Sequence, residues 1–394
     1  MASIPIVASP AAPSPAVEPM SRFERMSRLA QELGAINLGQ GYPDFPEPAD
    51  LIAAAARALS ERSNQYPPMR GLTDLRGAIT AYYAREQGVA LGMDEIVVTS
   101  GATEALAASF LAFIRPGDEV ILVQPFYDAY LPLVRRAGGV ARLVELTPPN
   151  QTLSLVALEA AIGPRTRVIV LNTPNNPTGT VLDRETLAAV GALCEAHDLI
   201  LICDEVWEAM LLDGTAHVSA LQVEALRRRT VKIGSAGKIF SLTGWKVGWA
   251  CAAPHLADAI AAQHQYLTFT TATPLQWAVA EGLALPPAWH AAHRAVYAGA
   301  KTRFVAGLEQ AGYHMLPASG TWFVNVDLAA SGLPLDDSAL AERMVREAGV
   351  ASIPGAAFYA DRQTTGTLRL CFAKGDDVLD EAVERLARFR AACT

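Results

Sequence analysis

Five short apolar runs in the sequence are each followed directly by residues that could bind or react with a small ligand. Asp204 follows five apolar residues, and a carboxylate buried there is costly without a cationic partner. Lys238 lies among Gly, Ser and Ala, where desolvation and nearby cations would lower its pKa, as an amine needs for Schiff-base formation. Together the five segments predict a phosphate cradle, an aromatic plane, an amide, a carboxylate and a lysine around one crevice: Ser100–Glu104, Gln124–Tyr127, Asn172–Gly179, Asp204–Trp207 and Gly234–Lys238.

Each segment also has an ordinary structural interpretation. Residues 100–103 combine small side chains with a predicted helix start, which favours an anion but also suits a tight turn. Tyr127 could stack on a planar ligand or pack in the core, and Asn176 lies in a loop rich in turn-forming residues. Asp204 could cap a helix, and Lys238 could be a solvated loop lysine.

Two further cations could complete a binding site. Lys246 lies eight positions beyond Lys238 and could reach a phosphate. Arg369 lies between apolar neighbours in a strand-like run. An arginine in that setting either pairs with a structural acid or presents its two-pronged guanidinium to a substrate carboxylate, and the residues alone leave both readings open.

The elements that must position these residues alternate along the chain. The apolar runs, which are rich in β-branched residues, predict strands, and the periodic stretches between them, such as 104–114 and 185–197, predict amphipathic helices. This alternation predicts an α/β fold with a mostly parallel sheet covered by helices on both faces. Ligands bind at the carboxyl ends of such strands, where the reactive residues stand. The predicted strands are 97–99, 120–123, 168–171, 199–203 and 231–233.

The pattern changes near Pro286. A long helical stretch, 288–310, is followed by short alternating runs, which predict a smaller α+β domain. We therefore expect a large domain over residues 46–285 and a small domain over residues 20–45 and 286–394. Residues 1–19, rich in Ala, Ser and Pro, lack the basic start and apolar core of a secretory signal and predict a flexible N-terminal arm.

Composition excludes several classes of function. The 394 residues carry a net charge of -8, and the longest basic run is Arg227–Arg229, which argues against a nucleic-acid partner. The longest uncharged stretch, 259–280, is too polar to span a membrane. The five cysteines lack both zinc spacing and a disulfide pattern, so we expect no metal site and a reducing, cytoplasmic location.

Three sequence motifs together resemble a known family. The segment GSAGKIFSLTGWKVGW surrounds Lys238, and NTPNNPTG and DEV precede it. They resemble the class I pyridoxal-phosphate aminotransferases of fold type I, over about residues 22–390. The opening INLGQGYPDF is similar to the branch of kynurenine, glutamine and methionine aminotransferases.

The resemblance implies an enzyme that moves the amino group of an L-amino acid to a 2-oxo acid by a ping-pong mechanism. Lys238 would form the internal aldimine with pyridoxal 5'-phosphate, and Asp204 would pair with its pyridine nitrogen. The resemblance also implies a homodimer with shared active sites, in which Tyr66 would reach the partner's phosphate and Phe269 and Thr270 would line the partner's pocket. The remaining implied roles are phosphate binding by Gly101, Ala102, Thr103, Ser235 and Lys246, ring contacts by Tyr127, Asn176 and Trp207, and substrate binding by Arg369, Asn176, Gly41 and Phe23.

The sequence departs from the family pattern at two places. Trp207 stands where the family usually has Tyr, and its indole can donate a hydrogen bond but cannot accept one or ionise. Thr103 and Thr270 replace aromatic positions of the kynurenine-preferring relatives, whereas Phe23 keeps an aromatic ring at the entrance. The less aromatic pocket favours methionine, glutamine or other unbranched side chains over kynurenine, and we expect a donor of the methionine, glutamine or aromatic type. Trp207 would instead change the pKa of the internal aldimine.

Two other functions remain open at this point. A carbon-sulfur β-lyase acting on cysteine S-conjugates would use the same Lys238 and Asp204 but release pyruvate. A cofactor-binding regulator would need a DNA-binding module, for which the roughly twenty residues before the matched region are too few.

Overall fold

The computed structural model describes residues 21–393, and the predicted arm over residues 1–19 lies outside them. Helices carry the longest periodic stretches of the sequence, as predicted. Helix α7, for example, begins after Asp183, whose carboxylate accepts a hydrogen bond from the Thr186 amide at 2.8 Å. The helices are α1 Arg22–Leu33, α2 Ala49–Glu61, α3 Thr73–Gln87, α4 Ala102–Phe113, α5 Tyr130–Arg136, α6 Leu155–Ala160, α7 Arg184–Ala196, α8 Ala236–Ile239, α9 Pro254–Leu267, α10 Thr273–Leu283, α11 Pro287–Gln310, α12 Asp337–Arg343 and α13 Asp376–Cys393.

Each predicted apolar run forms a strand: β7 is shifted by one residue and excludes Leu199, and the other four runs are extended by a residue or more. Most of these runs are buried along their length, as expected for strands covered on both faces. The strands are β1 Ile36–Asn37, β2 Ile96–Thr99, β3 Glu119–Gln124, β4 Val140–Thr147, β5 Thr152–Leu153, β6 Thr166–Asn172, β7 Ile200–Asp204, β8 Thr230–Ser235, β9 Gly248–Ala252, β10 His314–Met315, β11 Phe323–Asp327, β12 Val350–Ala351, β13 Ile353–Pro354 and β14 Thr367–Cys371.

The central sheet has eight strands in the order β2-β9-β8-β7-β6-β3-β4-β5. Strands β4, β3, β6, β7 and β8 pair in parallel, whereas β9 pairs antiparallel with both β2 and β8. The predicted mostly parallel α/β sheet is therefore confirmed. The antiparallel strand β9 was not predicted, and it begins at the end of the sheet where the reactive segments lie.

A second sheet, with the order β10-β11-β14-β13, is antiparallel and carries Arg369 on β14. Strand β1 pairs in parallel with β12, and the Cys371 amide donates to the Leu38 carbonyl oxygen at 2.7 Å. These contacts bring residues 38–41, near the N-terminus, beside Arg369. The domain boundaries at residues 45 and 285 stay a prediction.

The long uncharged stretch forms parts of two helices, α9 and α10, with Pro274 in the first turn of the second. Within residues 21–393, no helix combines the length and apolarity needed to cross a membrane. Cys194, Cys203, Cys251 and Cys371 are buried free thiols, as their apolar surroundings predict.

Candidate active site

A cavity of about 370 Å³ opens at the carboxyl ends of the central strands. It receives segments from both sheets, so residues more than three hundred positions apart meet in it. Every residue predicted for the chain's own site lines this cavity, whereas the three predicted to act in a partner's site, Tyr66, Phe269 and Thr270, do not. The lining includes Phe23, Gly41, Gly101, Ala102, Thr103, Tyr127, Asn176, Asp204, Trp207, Ser235, Lys238, Lys246 and Arg369.

Asp204 ends strand β7 at the floor of the cavity and is almost fully buried. The Tyr130 hydroxyl donates to its Oδ2 at 2.5 Å, and the Val206 amide donates to its Oδ1 at 3.2 Å. Burial raises the pKa of Asp204 to about 6, although these hydrogen bonds oppose the shift. Among residues 21–393, no cation hydrogen-bonds this carboxylate, so it could pair with a positive charge on a ligand.

Lys238 lies on α8, directly after strand β8. Burial lowers the pKa of its amine to about 8, and the charges of Arg369 and Lys246 act in the same direction. Asp204 and the Cys371 thiol oppose that shift. A lysine with this pKa is substantially neutral at mildly alkaline pH, as a nucleophilic amine or general base must be.

The turn into helix α4 forms an anion-binding corner. Gly101 has a φ of 78°, which glycine adopts without strain, and it caps α4, whose first residues Ala102 and Thr103 line the cavity. A Cβ on Gly101 would lie 3.3 Å from Nζ of Lys246. Gly248, on β9, packs so tightly against this turn that a Cβ there would lie 2.6 Å from the Ala102 nitrogen.

Arg369 is 2 % exposed at the opposite wall. Its guanidinium donates to Asn176 Oδ1 at 2.7 Å and to the Gly39 carbonyl oxygen at 2.9 Å, and it lies over the Phe323 ring at 3.8 Å. Its Nε has no acceptor within the described chain. Burial lowers the pKa of Arg369 to about 9, and a bound anion would offset part of the cost of burying this charge. Of the two readings left open by the sequence, the geometry favours carboxylate binding.

Several residues of the site were not predicted from the sequence, and four of them bear on its chemistry. Tyr130 donates a hydrogen bond to Asp204, whereas Gln40, Asp128 and Phe323 line the cavity. Asp128 and Tyr130 had a visible signal, because they come directly after the segment Gln124–Tyr127. Burial raises the pKa of Asp128, and the nearby Arg369 charge opposes this shift.

Tyr66 lies outside the cavity and is 82 % exposed. Its ring contacts Phe269 edge to face, with the centroids 5.5 Å apart, and Phe269 is itself 38 % exposed. Phe269 and Thr270 likewise do not line the cavity of their own chain. These residues therefore form an exposed apolar surface beside the site rather than part of it.

The chain matches the family model described as aminotransferase class I and II over residues 34–386. It is 40% identical to the probable N-succinyldiaminopimelate aminotransferase DapC of Mycobacterium tuberculosis, over 93% of this chain and 95% of that protein. It is 32% identical to human kynurenine--oxoglutarate transaminase 1, over 92% and 94% of the two chains. The solved structure of YbdL from Escherichia coli, reported to have a methionine aminotransferase function, superposes with a TM-score of 0.91 at 38% identity, covering 97% of this chain and 100% of that one.

The similar proteins, the family model and the residues that line the cavity all indicate an aminotransferase. The fold is that of the fold type I aminotransferases, and the similar chains carry aminotransferase names. This chain belongs to the class I and II aminotransferase family, within its kynurenine- and methionine-aminotransferase-like branch.

Proposed function

We propose that this aminotransferase takes the amino group of an L-amino acid with a neutral side chain, of the methionine, glutamine or aromatic type, and passes it to a 2-oxo acid by a ping-pong mechanism. The observation that carries the proposal is the meeting of Lys238, Asp204 and Arg369 in one cavity. Lys238 supplies an amine with a lowered pKa, Asp204 a carboxylate that no cation within residues 21–393 hydrogen-bonds, and Arg369 a buried guanidinium.

Members of this family use pyridoxal 5'-phosphate, and the cavity fits that group. The free amides of α4, Ser235 and Lys246 would hold its phosphate, and Gly101 leaves room there that a side chain would fill. Asp204 would face the pyridine nitrogen, Tyr127 and Asn176 would contact the ring, and Trp207 would lie beside it. When bound, this cofactor supplies an aldehyde for the amino group and a ring that takes up electrons released at the substrate Cα.

The protein's own groups would then orient the substrate and move its proton. Arg369 would bind the α-carboxylate through two parallel N–H groups, assisted by Asn176 and the backbone near Gly41. Fixing that end of the substrate sets the direction of the Cα–H bond. Lys238, neutral at mildly alkaline pH, would take the Cα proton as general base and then donate it to the cofactor carbon.

The charges of the cavity support a neutral substrate side chain. Lys238, Lys246 and Arg369 are the only cations that line the cavity among residues 21–393, and the proposed mechanism already uses all three. Asp128 adds a negative charge beside Arg369. A second carboxylate on the substrate would therefore lack a partner and face repulsion.

We extend the proposal to a cytoplasmic homodimer with shared active sites. The exposed surface formed by Tyr66 and Phe269 lies beside the site and would be covered by a second copy. The alternative of a carbon-sulfur β-lyase gains no support from the similar proteins, which carry aminotransferase names.

A single-turnover experiment tests the reaction. The full-length protein loaded with pyridoxal phosphate is mixed in turn with L-methionine, L-glutamine, L-kynurenine and a cysteine S-conjugate, without a 2-oxo acid. Transamination predicts a shift of the visible band to that of pyridoxamine phosphate with no pyruvate, and methionine or glutamine reacting faster than kynurenine. Pyruvate release with the original band regenerated would make the protein a lyase.

A variant pair tests the assignment of Lys238. Borohydride reduction should fix the cofactor on the wild type and on the control variant Lys301→Ala, but not on Lys238→Ala. Peptide mass spectrometry locates the modified lysine. Cofactor fixed on Lys238→Ala, at any of the remaining lysines, would refute the assignment.

A further inference from the structure

Two indole rings surround the amine of Lys238. Its Nζ lies over the Trp207 ring at 4.8 Å from the centroid and over the Trp322 ring at 4.9 Å. The two rings meet edge to face at 4.6 Å and 88°, so they form a corner with Nζ inside it. A cation within about 6 Å of an indole face is attracted by the ring's electron density.

The corner is rigid. Trp322 is fully buried and stacks on Tyr297, with the ring centroids 5.7 Å apart and an interplanar angle of 22°. Trp207 is 3 % exposed and contacts Phe323 edge to face at 5.5 Å. Neither ring is therefore free to move away from Lys238 without disturbing the core beneath it.

Hydrogen bonding within the described chain does not explain the tryptophan at position 322. The Nε1 of Trp322 is buried and has no acceptor within the described chain, which costs free energy that a phenylalanine would avoid. No side chain or carbonyl oxygen of residues 21–393 accepts a hydrogen bond from Nζ of Lys238 either. What Trp322 offers beyond Phe at this position is the stronger attraction of an indole face for a cation.

We propose that Trp207 and Trp322 form an aromatic cage that holds the ammonium group of Lys238 whenever this lysine carries no covalent bond. The cage positions the amine without a counter-ion. A carboxylate bonded to Nζ would hold the proton tightly and hinder attack on an aldehyde, whereas ring faces attract the ammonium and release the neutral amine.

The charges around Lys238 show why such a cage is useful. Arg369 and Lys246 repel the ammonium group, and Asp204 and the Cys371 thiol are the groups that favour it. Burial opposes the charged form as well. Attraction to the two ring faces offsets part of the free-energy cost of charging the amine. The amine therefore stays in the cavity, and its pKa falls less than burial and repulsion alone would lower it.

The test measures the amine directly in the full-length protein freed of cofactor. The chain has lysines only at positions 232, 238, 246, 301 and 374, so peptide mass spectrometry can follow each one. Acetylation by trace acetic anhydride at a series of pH values gives the pKa and reactivity of each amine. The variants are Trp322→Phe, Trp322→Leu, Trp207→Phe and Trp207→Leu, with Trp289→Phe as the remote control.

We expect the pKa of Lys238 to fall in the order Trp, Phe, Leu at both positions, by about half a unit to one and a half units for each ring lost. Lys301 and Lys374 should be unchanged in every variant, and Trp289→Phe should leave Lys238 unchanged. The Phe variants keep most of the ring volume, so they report the electron density of the ring rather than packing. A Lys238 pKa equal to that of the wild type in the folded Phe and Leu variants would overturn the cage.

The meaning of the cage for catalysis rests on the proposed function, but its test does not. The acetylation measurement uses neither cofactor nor substrate. A protein that fails to transaminate and still shows the graded pKa series would keep the cage and lose the proposed reaction. A protein that transaminates but shows an unchanged Lys238 pKa in the variants would support the reaction and refute the cage.

Discussion

At the scale of single residues, the site works through groups whose charge is tuned by burial. Asp204 has its pKa raised to about 6 and Lys238 has its pKa lowered to about 8, and burial is the largest cause in both. The hydroxyl of Tyr130 counteracts the shift of Asp204 by stabilising the carboxylate. Each charge thus depends on a neighbour that a substitution can remove.

The first prediction concerns Tyr130→Phe. Asp204 must be ionised to pair with a protonated pyridine nitrogen, so cofactor affinity should fall as the pH drops through about 6. Loss of the hydroxyl removes a donor to the ionised form and should raise the midpoint of that fall by about one to two units. The dissociation constant of pyridoxal phosphate, measured from pH 5 to pH 9, checks this. Tyr127→Phe, which loses only a hydrogen bond to Thr103, is the matched control and should leave the midpoint in place.

The second prediction concerns Asp128→Asn. Removing this carboxylate from the cavity should raise kcat/KM for L-glutamate relative to L-methionine by about tenfold, which corresponds to roughly 1.4 kcal/mol of relieved repulsion. Glu145→Gln removes an acid that lies outside this cavity, paired with Arg362, and should leave the ratio unchanged. An unaltered ratio in Asp128→Asn would mean that this carboxylate does not face the substrate side chain.

At the scale of elements, close backbone approaches shape the site. Strand β9 passes so near the start of α4 that only a glycine fits at position 248. Lys232 holds the loop after β7 in place. Its side chain is fully buried and pairs with Glu205 and with Glu208, whose Oε2 lies 2.6 Å from Nζ. Glu205 and Glu208 flank the loop that carries Trp207.

The third prediction concerns Gly248→Ala. The new methyl group would lie 2.6 Å from the Ala102 nitrogen and 2.7 Å from the Gly101 carbonyl carbon, so the anion-binding turn must shift. Affinity for pyridoxal phosphate should fall at least about tenfold, since misplaced amides lose their hydrogen bonds to phosphate. Gly299→Ala, in open space on α11, should leave affinity unchanged and raise the free energy of unfolding by up to about 1 kcal/mol. Unchanged affinity in Gly248→Ala would show that the turn does not bind the phosphate.

The fourth prediction concerns the buried charges below the site. Although burial acts in the opposite direction, Lys232 and His217 hold the pKa of Glu205 well below its usual range. Lys232→Met would leave Glu208 without a cationic partner and Glu205 with His217 alone, and should lower the free energy of unfolding by about 3–5 kcal/mol. Urea unfolding at pH 8 measures this loss. Adding Glu208→Gln should recover part of it, and Lys301→Met, which loses a single hydrogen bond to a carbonyl oxygen, should cost far less.

The Glu205, Glu208 and His217 side chains also have the spacing of a metal site. The ammonium of Lys232 lies among them and hydrogen-bonds both carboxylates. A cation is thus already supplied by the protein at this point.

At the scale of the whole molecule, residues beside the cavity are left exposed. Tyr66 and Phe269 form an apolar surface that a single chain does not cover. Exposed aromatic pairs of this kind are typical of protein interfaces.

The fifth prediction tests whether two chains share their sites. Lys238→Ala disables the site of its own chain, and Tyr66→Ala would disable the site of the partner. Each variant alone should be nearly inactive, but a mixture refolded together should regain up to about a quarter of the wild-type activity, because half of the dimers then carry one intact site. Lys238→Ala mixed with Arg369→Ala is the control: both residues line the cavity of their own chain, so neither site of a mixed dimer is intact and this mixture should regain no activity. Activity in Tyr66→Ala alone equal to that of the wild type would refute a role for Tyr66 across an interface.

The sequence by itself determined the central sheet and the reactive residues at its strand ends. Apolar runs rich in β-branched residues predict buried parallel strands, and the carboxyl ends of such strands meet at one edge, so Asp204, Lys238 and the turn before α4 had to converge. The family motifs around Lys238 then implied the roles that the geometry supports. These inferences depend on local patterns, which can be recognised in the sequence without the structure.

Only the tertiary structure decided what surrounds those residues. Arg369 reaches the cavity because β14 pairs with β11 and β13, and residues 38–41 reach it because β1 pairs with β12. The hydrogen bond from Arg369 to Asn176 joins residues that are 193 positions apart in the sequence. The pairing of Tyr130 with Asp204 and the placement of Trp322 against Lys238 have the same origin. Such contacts depend on how elements distant in the sequence pack against each other, and no spacing along the chain encodes that packing.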